Sequence, residues 1–202
     1  MMQRLILTWG IKMEFLNIAD LRLCTEAEGP GKRLAVWVQG CQRRCKGCCN
    51  PEMHEVVKKY VVSVDDFVAL IERSVKENGI EGVSFIGGEP FLQAKGLADA
   101  AQWCHARNLS VLIFTGYLYE DLQKMKDPYV DKLLDHTDLL IDGEFDEAQY
   151  DTERPWIGSK NQKVYRLSEF YPEGIEFTAS ERMMEIRVSD KEILINGWPY
   201  GL

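Results

Sequence analysis

Short apolar runs alternate with amphipathic stretches along most of the chain. Leu34 to Gln39 is a β-rich apolar run that leads directly into a cluster of cysteines. From Ser63 to Asn78 the apolar positions Val64, Phe67, Val68, Ile71 and Val75 recur at helical spacing. Ser63 and Asp66 form a capping-box-like start, and Gly79 is placed to stop the helix. Gly82 to Ile86 reads as a strand running into Gly87-Gly88-Glu89-Pro90, followed by a helix from about Leu92 to Arg107. Ser110 to Phe114 is another strand, ending at Thr115-Gly116-Tyr117 before a short helix. Asp138 to Ile141 is a third, ending at Asp142-Gly143. Glu185 to Val188 and Glu192 to Ile195 flank Ser189-Asp190-Lys191, which predicts a terminal β-hairpin.

Repeated strand-then-helix units imply an α/β fold with mainly parallel strands and right-handed crossovers. Four runs (Val36 to Gln39, Val83 to Ile86, Val111 to Phe114, Leu139 to Ile141) each end in a small or polar cluster. In such folds the carboxyl ends of the strands form the active face, so the chemical residues sort onto one rim. The units are too few for an eight-fold barrel, and an open, partial βα barrel is expected. Repeats, low-complexity tracts and linker-like stretches are absent, so residues 1–202 are read as one domain. Residues 1–12 are expected to be an N-terminal extension, with Met13 an alternative start, and no convincing signal-peptide pattern is present.

A formal charge of −8 argues against a general nucleic-acid or membrane-surface binder, which would show a basic excess. No apolar run reaches the roughly 18 residues that a membrane span requires. Four of the six cysteines fall between positions 41 and 49, a pattern that suits metal binding in a reducing cytoplasm better than a disulfide framework.

The segment Gly40-Cys41-Gln42-Arg43-Arg44-Cys45-Lys46-Gly47-Cys48-Cys49-Asn50-Pro51 carries the main chemical signal. Thiolates at C-x3-C-x2-C on one short loop can converge on a single inorganic centre. A cubane iron–sulfur cluster normally takes four such ligands, so Cys41, Cys45 and Cys48 would leave one iron open for chemistry. Arg43, Arg44 and Lys46 add positive charge that would favour the thiolates. A structural zinc site is the alternative, although no second knuckle supports it. Cys49 is read as a packing residue rather than a fourth ligand. Cys104 is read as a buried inert thiol beside Leu97 and Ala101. His54, His105 and His136 share no ligand spacing.

Taken with these motifs, the chain resembles the radical S-adenosylmethionine superfamily, whose signature is a C-x3-C-x2-C loop after the first strand. It looks most like the activating proteins of glycyl radical enzymes, among them those of anaerobic ribonucleoside-triphosphate reductase. The resemblance spans Glu28 to Val164. It rests on Glu28-Gly29-Pro30-Gly31-Lys32-Arg33, Cys45-Lys46-Gly47-Cys48-Cys49-Asn50-Pro51 and Gly87-Gly88-Glu89-Pro90. Phe114-Thr115-Gly116-Tyr117, Leu140-Ile141-Asp142-Gly143 and Gly158-Ser159-Lys160-Asn161-Gln162 add to it. Gly47 departs from the aromatic residue common before the third cysteine. The tail from about Leu167 to Leu202 has no counterpart in those activases and is expected to be a structural extension ending in the hairpin.

The resemblance implies a [4Fe–4S] cluster on Cys41, Cys45 and Cys48, with S-adenosylmethionine on its open iron. It implies that Gly87 and Gly88 let backbone carbonyls approach the methionyl ammonium, with Glu89 and Pro90 completing that turn. Backbone around Gly47, Cys48 and Cys49 would contact the adenine, and Thr115 and Asp142 would reach the ribose or methionyl group. The implied activity is reductive cleavage to a 5′-deoxyadenosyl radical, fed by flavodoxin or ferredoxin, that abstracts hydrogen from a partner enzyme's glycine. Two alternatives stand beside it: a radical enzyme acting on a small molecule or peptide, and a non-catalytic zinc or iron–sulfur module. A pocket closed by the tail would favour the first of these alternatives.

Overall fold

A computed structural model describes residues 14–178, 182–190 and 192–197. The N-terminal extension expected over residues 1–12, and Lys191 of the hairpin turn, lie outside the described residues. A seven-stranded sheet forms the centre. Its strands are β1 (Phe15–Thr25), β2 (Arg33–Val38), β3 (Tyr60–Ser63), β4 (Gly82–Gly87), β5 (Ser110–Phe114), β6 (Leu139–Asp142) and β7 (Lys163–Arg166), in the order β3-β1-β2-β4-β5-β6-β7. The four apolar runs with small or polar ends are the parallel centre, β2-β4-β5-β6. Antiparallel β1, β3 and β7 extend the sheet on both sides.

The helices are α1 (Val64–Asn78), α2 (Ala94–His105), α3 (Tyr119–Lys124), α4 (Pro128–Asp135) and the four-residue α5 (Ile175–Thr178). In the parallel centre the strand period of two sends residues to opposite faces. Leu34, Val36, Val38, Val83, Phe85, Val111 and Ile113 form one core with Phe67 and Ile71 of α1, Leu97 and Cys104 of α2, and Leu133 of α4. Residues on the other face, such as Ala35 and Trp37, pack instead with Ala19 and Met53. Among the described residues no long helix packs on that second face, and it is where the cavity lies.

Ser63 caps α1 by accepting from the Asp66 N–H at 3.1 Å, and Gly79 closes the helix at φ +65°. Val75, expected on the buried face, is exposed. Ser74 takes the centre of that face, because Phe67, Ile71 and Ser74 stack at i, i+4 and i+7 while Val75 falls on its margin. Replacing Ser63 with Ala is expected to destabilise the fold by about 1 kcal/mol, seen as a lower urea midpoint at unchanged slope.

Arg33 is fully buried and satisfied: it donates to Ser84 Oγ, Ser110 Oγ, Tyr171 Oη and the Pro30 and Val83 carbonyls. The tail residue Tyr171 thus returns beneath the sheet. Beyond it, β8 (Met184–Val188) and β9 (Ile193–Gly197) form the expected hairpin as a separate two-stranded antiparallel sheet. Among the described residues no helix is long and apolar enough to cross a membrane.

Candidate cofactor site

The carboxyl ends of β2, β4, β5 and β6 open on one rim, beside a cavity of about 690 Å³. Cys41, Cys45, Cys48 and Cys49 line it, as do Gly87, Gly88, Glu89 and Thr115. A cavity of this size falls within the range that holds a nucleoside-sized ligand.

The cysteine loop is anchored at both ends. The Gly40 and Cys41 amides donate to the Met53 and His54 carbonyls at 2.9 and 3.2 Å, and the Cys48 amide donates to the Cys45 carbonyl at 3.3 Å. Cys41, Cys45 and Cys48 are half-buried. All three sulfurs accept from backbone: Cys41 Sγ from the Arg43 amide and Cys48 Sγ from the Asn50 amide, each at 3.4 Å, and Cys45 Sγ from the Phe145 amide. Such bonds favour a sulfur that carries negative charge. Among the described residues, no three His, Cys, Asp or Glu side chains close on a point that would seat a single metal ion. In a cubane each sulfur ligates a different iron, so its ligands stand farther apart than around one ion.

Two expectations about this loop are corrected. Cys49 is exposed, not packed. The basic residues do not bring the Cys45 and Cys48 thiols below their ordinary range, and each faces a carboxylate: Arg43 with Glu144 at 3.3 Å, Arg44 with Glu55 at 3.8 Å and Lys46 with Glu147 at 3.9 Å. Burial pushes the Cys45 thiol up, with Glu144 and the neighbouring cysteines adding to the effect, and burial with Cys49 and Cys41 does the same for Cys48. Loading a metal centre would therefore release protons.

Gly87 and Gly88 have a role that residue type alone did not reveal. The Gly88 and Glu89 amides donate to the Val38 and Gly40 carbonyls, both at 2.8 Å, stapling this turn to the base of the cysteine loop. A Cβ on Gly87 would lie 2.6 Å from Val38 N, and one on Gly88 would collide with the Gly40 carbonyl oxygen. Glu89 is buried. Its carboxylate accepts from the Phe91 amide (3.0 Å), Thr115 Oγ1 (2.8 Å) and the Gly116 amide (2.9 Å), so it ties β4 to β5. Pro90 opens the turn of 3₁₀ helix (Pro90–Gln93) that follows, which delays the start of α2 past the predicted Leu92.

Asp142 is buried and accepts from the Tyr119 and Lys163 amides. Asp142, Pro90 and Gly47 do not line the cavity. Gly47 faces the Glu147 side chain instead. Cavity residues that sequence reasoning missed include Trp37, Phe145 and Trp156, and also Asp20 and Arg22 of β1. The alternation Leu21-Arg22-Leu23 was the available signal for that strand. Residues Ile193 to Gly197 of β9 complete the lining.

Burial pushes Glu89 up to about 7, against the pull of its three donors and of Arg43. The native state therefore holds a proton that an unfolded carboxylate, near 4.5, releases earlier. With more protons bound in the native state, stability falls as pH rises from about 4.5 to about 7 and levels off above. One such group contributes a slope of at most about 1.4 kcal/mol per pH unit. Urea unfolding of the metal-free chain between pH 5 and 8 is expected to show this fall, and Glu89→Gln is expected to flatten it by up to that amount.

Residues 27–165 fit the model of the 4Fe-4S single cluster domain, which makes the chain an iron–sulfur protein and agrees with one short cysteine loop at the rim of a parallel sheet. Three relatives share one name. The chain is 30% identical over 149 residues to the anaerobic ribonucleoside-triphosphate reductase-activating protein of Vibrio cholerae, covering 69% of this chain and 91% of the relative. The proteins of the same name from enterobacteria phage T4 (26% over 154 residues, 74% and 94%) and Haemophilus influenzae (30% over 145 residues, 69% and 90%) are similar. The chain belongs to the 4Fe-4S single cluster family of anaerobic ribonucleoside-triphosphate reductase-activating proteins.

Proposed function

We propose that the chain is a radical S-adenosylmethionine enzyme built as an open, partial βα barrel, and that it generates a glycyl radical on an anaerobic ribonucleotide reductase. The observation that carries this reading is the shared cavity wall, where Cys41, Cys45 and Cys48 stand beside the Gly87-Gly88-Glu89 turn. When bound, a reduced [4Fe–4S] cluster supplies the electron that cleaves S-adenosylmethionine to methionine and a 5′-deoxyadenosyl radical. The residues present fit such a group: half-buried thiols on one anchored loop, each accepting a backbone N–H group, facing a nucleoside-sized space. Gly87 and Gly88 would present backbone to the methionyl end, and Cys48 and Cys49 would flank the adenine. Glu89 and Thr115 would hold the turn in place through their mutual hydrogen bond. A low-potential donor, flavodoxin or ferredoxin, would supply the electron in the cytoplasm.

One observation favours a second reading, a radical enzyme acting on a small molecule or peptide: β9 walls the cavity, so the tail narrows the space open to a partner's loop. Anaerobic reconstitution tests both. About four irons per chain and 5′-deoxyadenosine release with dithionite are expected; a colourless zinc protein that releases none would overturn both. A stable glycyl signal by electron paramagnetic resonance, on mixing with the reductase, separates the first reading from the second.

A further inference from the structure

Three buried polar atoms in residues that wall the cavity have no hydrogen-bond partner among the described residues: Nε2 of His54, beside the cysteine loop, and a pair around Glu28, Nε of Arg22 on β1 and Oδ1 of Asn196 on β9. Arg22 and Asn196 are only 5% and 7% exposed. Neither is free to turn elsewhere. Arg22 Nη1 donates to Asp20 Oδ1 at 2.7 Å and to the Leu21 carbonyl at 2.9 Å, and its guanidinium sits 5.6 Å from the centroid of the Trp37 ring. Asn196 Nδ2 donates to Thr25 Oγ1 at 3.0 Å and reaches Glu28 Oε1 at 3.5 Å, which fixes the amide with Oδ1 on the other side. Glu28 also accepts from the Gly197 amide at 2.7 Å, and the Arg22 charge acts on it, so both orphaned atoms of the pair belong to groups gathered around this carboxylate.

One of these atoms is a donor and the other an acceptor, and leaving either unmet in a buried place is costly. A carboxylate would meet Arg22 but oppose the Asn196 oxygen, and an ammonium would do the reverse. A peptide unit meets both, since its C=O accepts and its N–H donates. Ile193 and Ile195 of β9 add an apolar wall suited to extended chain. We propose that Arg22 and Asn196 form a peptide-amide subsite that holds the backbone of a polypeptide substrate in the cavity. This rests on the reading that the cavity serves a radical enzyme with a protein or peptide substrate. It specifies how that substrate is gripped: by its main chain rather than by a charged side chain.

The test uses the reconstituted holoenzyme, with the chain unaltered, in equilibrium dialysis against radiolabelled acetyl-Ala-Gly-Ala-methylamide. Two analogues each have one internal N–H replaced by an ester oxygen. Saturable binding of the peptide is expected, with at least one ester analogue bound at least tenfold more weakly, and Arg22→Lys is expected to weaken the peptide at least tenfold. Failure of the peptide to bind, equal binding of peptide and both esters, or competitive displacement of the peptide by S-adenosylmethionine would each overturn the proposal. Equal binding would mean that a water serves the two atoms, and displacement would mean that the corner belongs to the nucleoside ligand. Release of 5′-deoxyadenosine, measured on the same preparation without peptide, separates the two levels. Release without peptide binding overturns the subsite alone, whereas no release overturns the underlying reading and the subsite with it.

Discussion

Serine at any one of positions 41, 45 or 48 is expected to leave a reconstituted chain short of iron and to lower 5′-deoxyadenosine release by more than about 100-fold. A hydroxyl is a poor substitute for a thiolate on iron, and three ligands already leave one corner open, so the loss of a second corner releases the cluster. The apo fold should tolerate each change within about 0.5 kcal/mol, because these side chains are only half-buried and belong to a loop anchored by its backbone. Cys49→Ser and Cys104→Ser provide the contrast. Cys49 is exposed at the cavity, and Cys104 is buried in the helical core, its thiol pushed up to about 12 by burial. Neither replacement should change the iron content. If Cys49→Ser removed the metal as completely as Cys48→Ser, the closed four-sulfur site would be the correct account.

Gly87→Ala is expected to have the largest effect on the fold itself. Gly87 holds φ +100°, where an L side chain is strained, and its Cβ would press on the backbone of Trp37 and Val38 at 2.6 to 2.8 Å. The obstacle is main chain in the middle of the parallel sheet, so no side-chain rotation relieves it. A loss of about 3 kcal/mol follows from the strain and the overpacking combined, which for a chain of this length lowers Tm by roughly 6 to 12 °C. Calorimetry of the apo chain measures it. Displacing β4 from β2 also moves the Gly88 and Glu89 amides off the cysteine loop, so iron uptake should fall with stability. Gly79→Ala is the control: that glycine has the same sign of φ but open space around its Cβ position, so it should cost less than Gly87→Ala.

Much of the architecture was readable because each parallel strand is a continuous apolar run ending in small or polar residues. The predicted Ser110 to Phe114 coincides with β5, and the predicted Ser63–Gly79 helix has both of its expected caps. The edge strands were harder. β1 carries register shifts between Ile18 and Asp20 and between Arg22 and Thr25, which break its alternation. β3 and β7 are four residues each, too short to show a period. Within the site, the cysteine spacing and the Gly-Gly-Glu-Pro turn were legible as chemistry, yet the reading of the neighbouring charges failed. Arg43, Arg44 and Lys46 adjoin the thiols in sequence, but the carboxylates that face them come from Glu144, Glu55 and Glu147.

What the order of residues determined by itself was local: which segments are strands, where a helix begins, and that three thiols sit within reach of one another on a short loop. Those properties follow from periodicity, capping and spacing, all of which act over a few neighbouring positions. Only the tertiary structure decided that Arg33 would be buried and satisfied, that Gly87 and Gly88 would serve the seam between two strands, and that β9 would wall the cavity beside Arg22. Each of these depends on atoms brought together from distant parts of the chain. Burial, close backbone approach and hydrogen-bond satisfaction are properties of the assembled neighbourhood, and no single segment carries them.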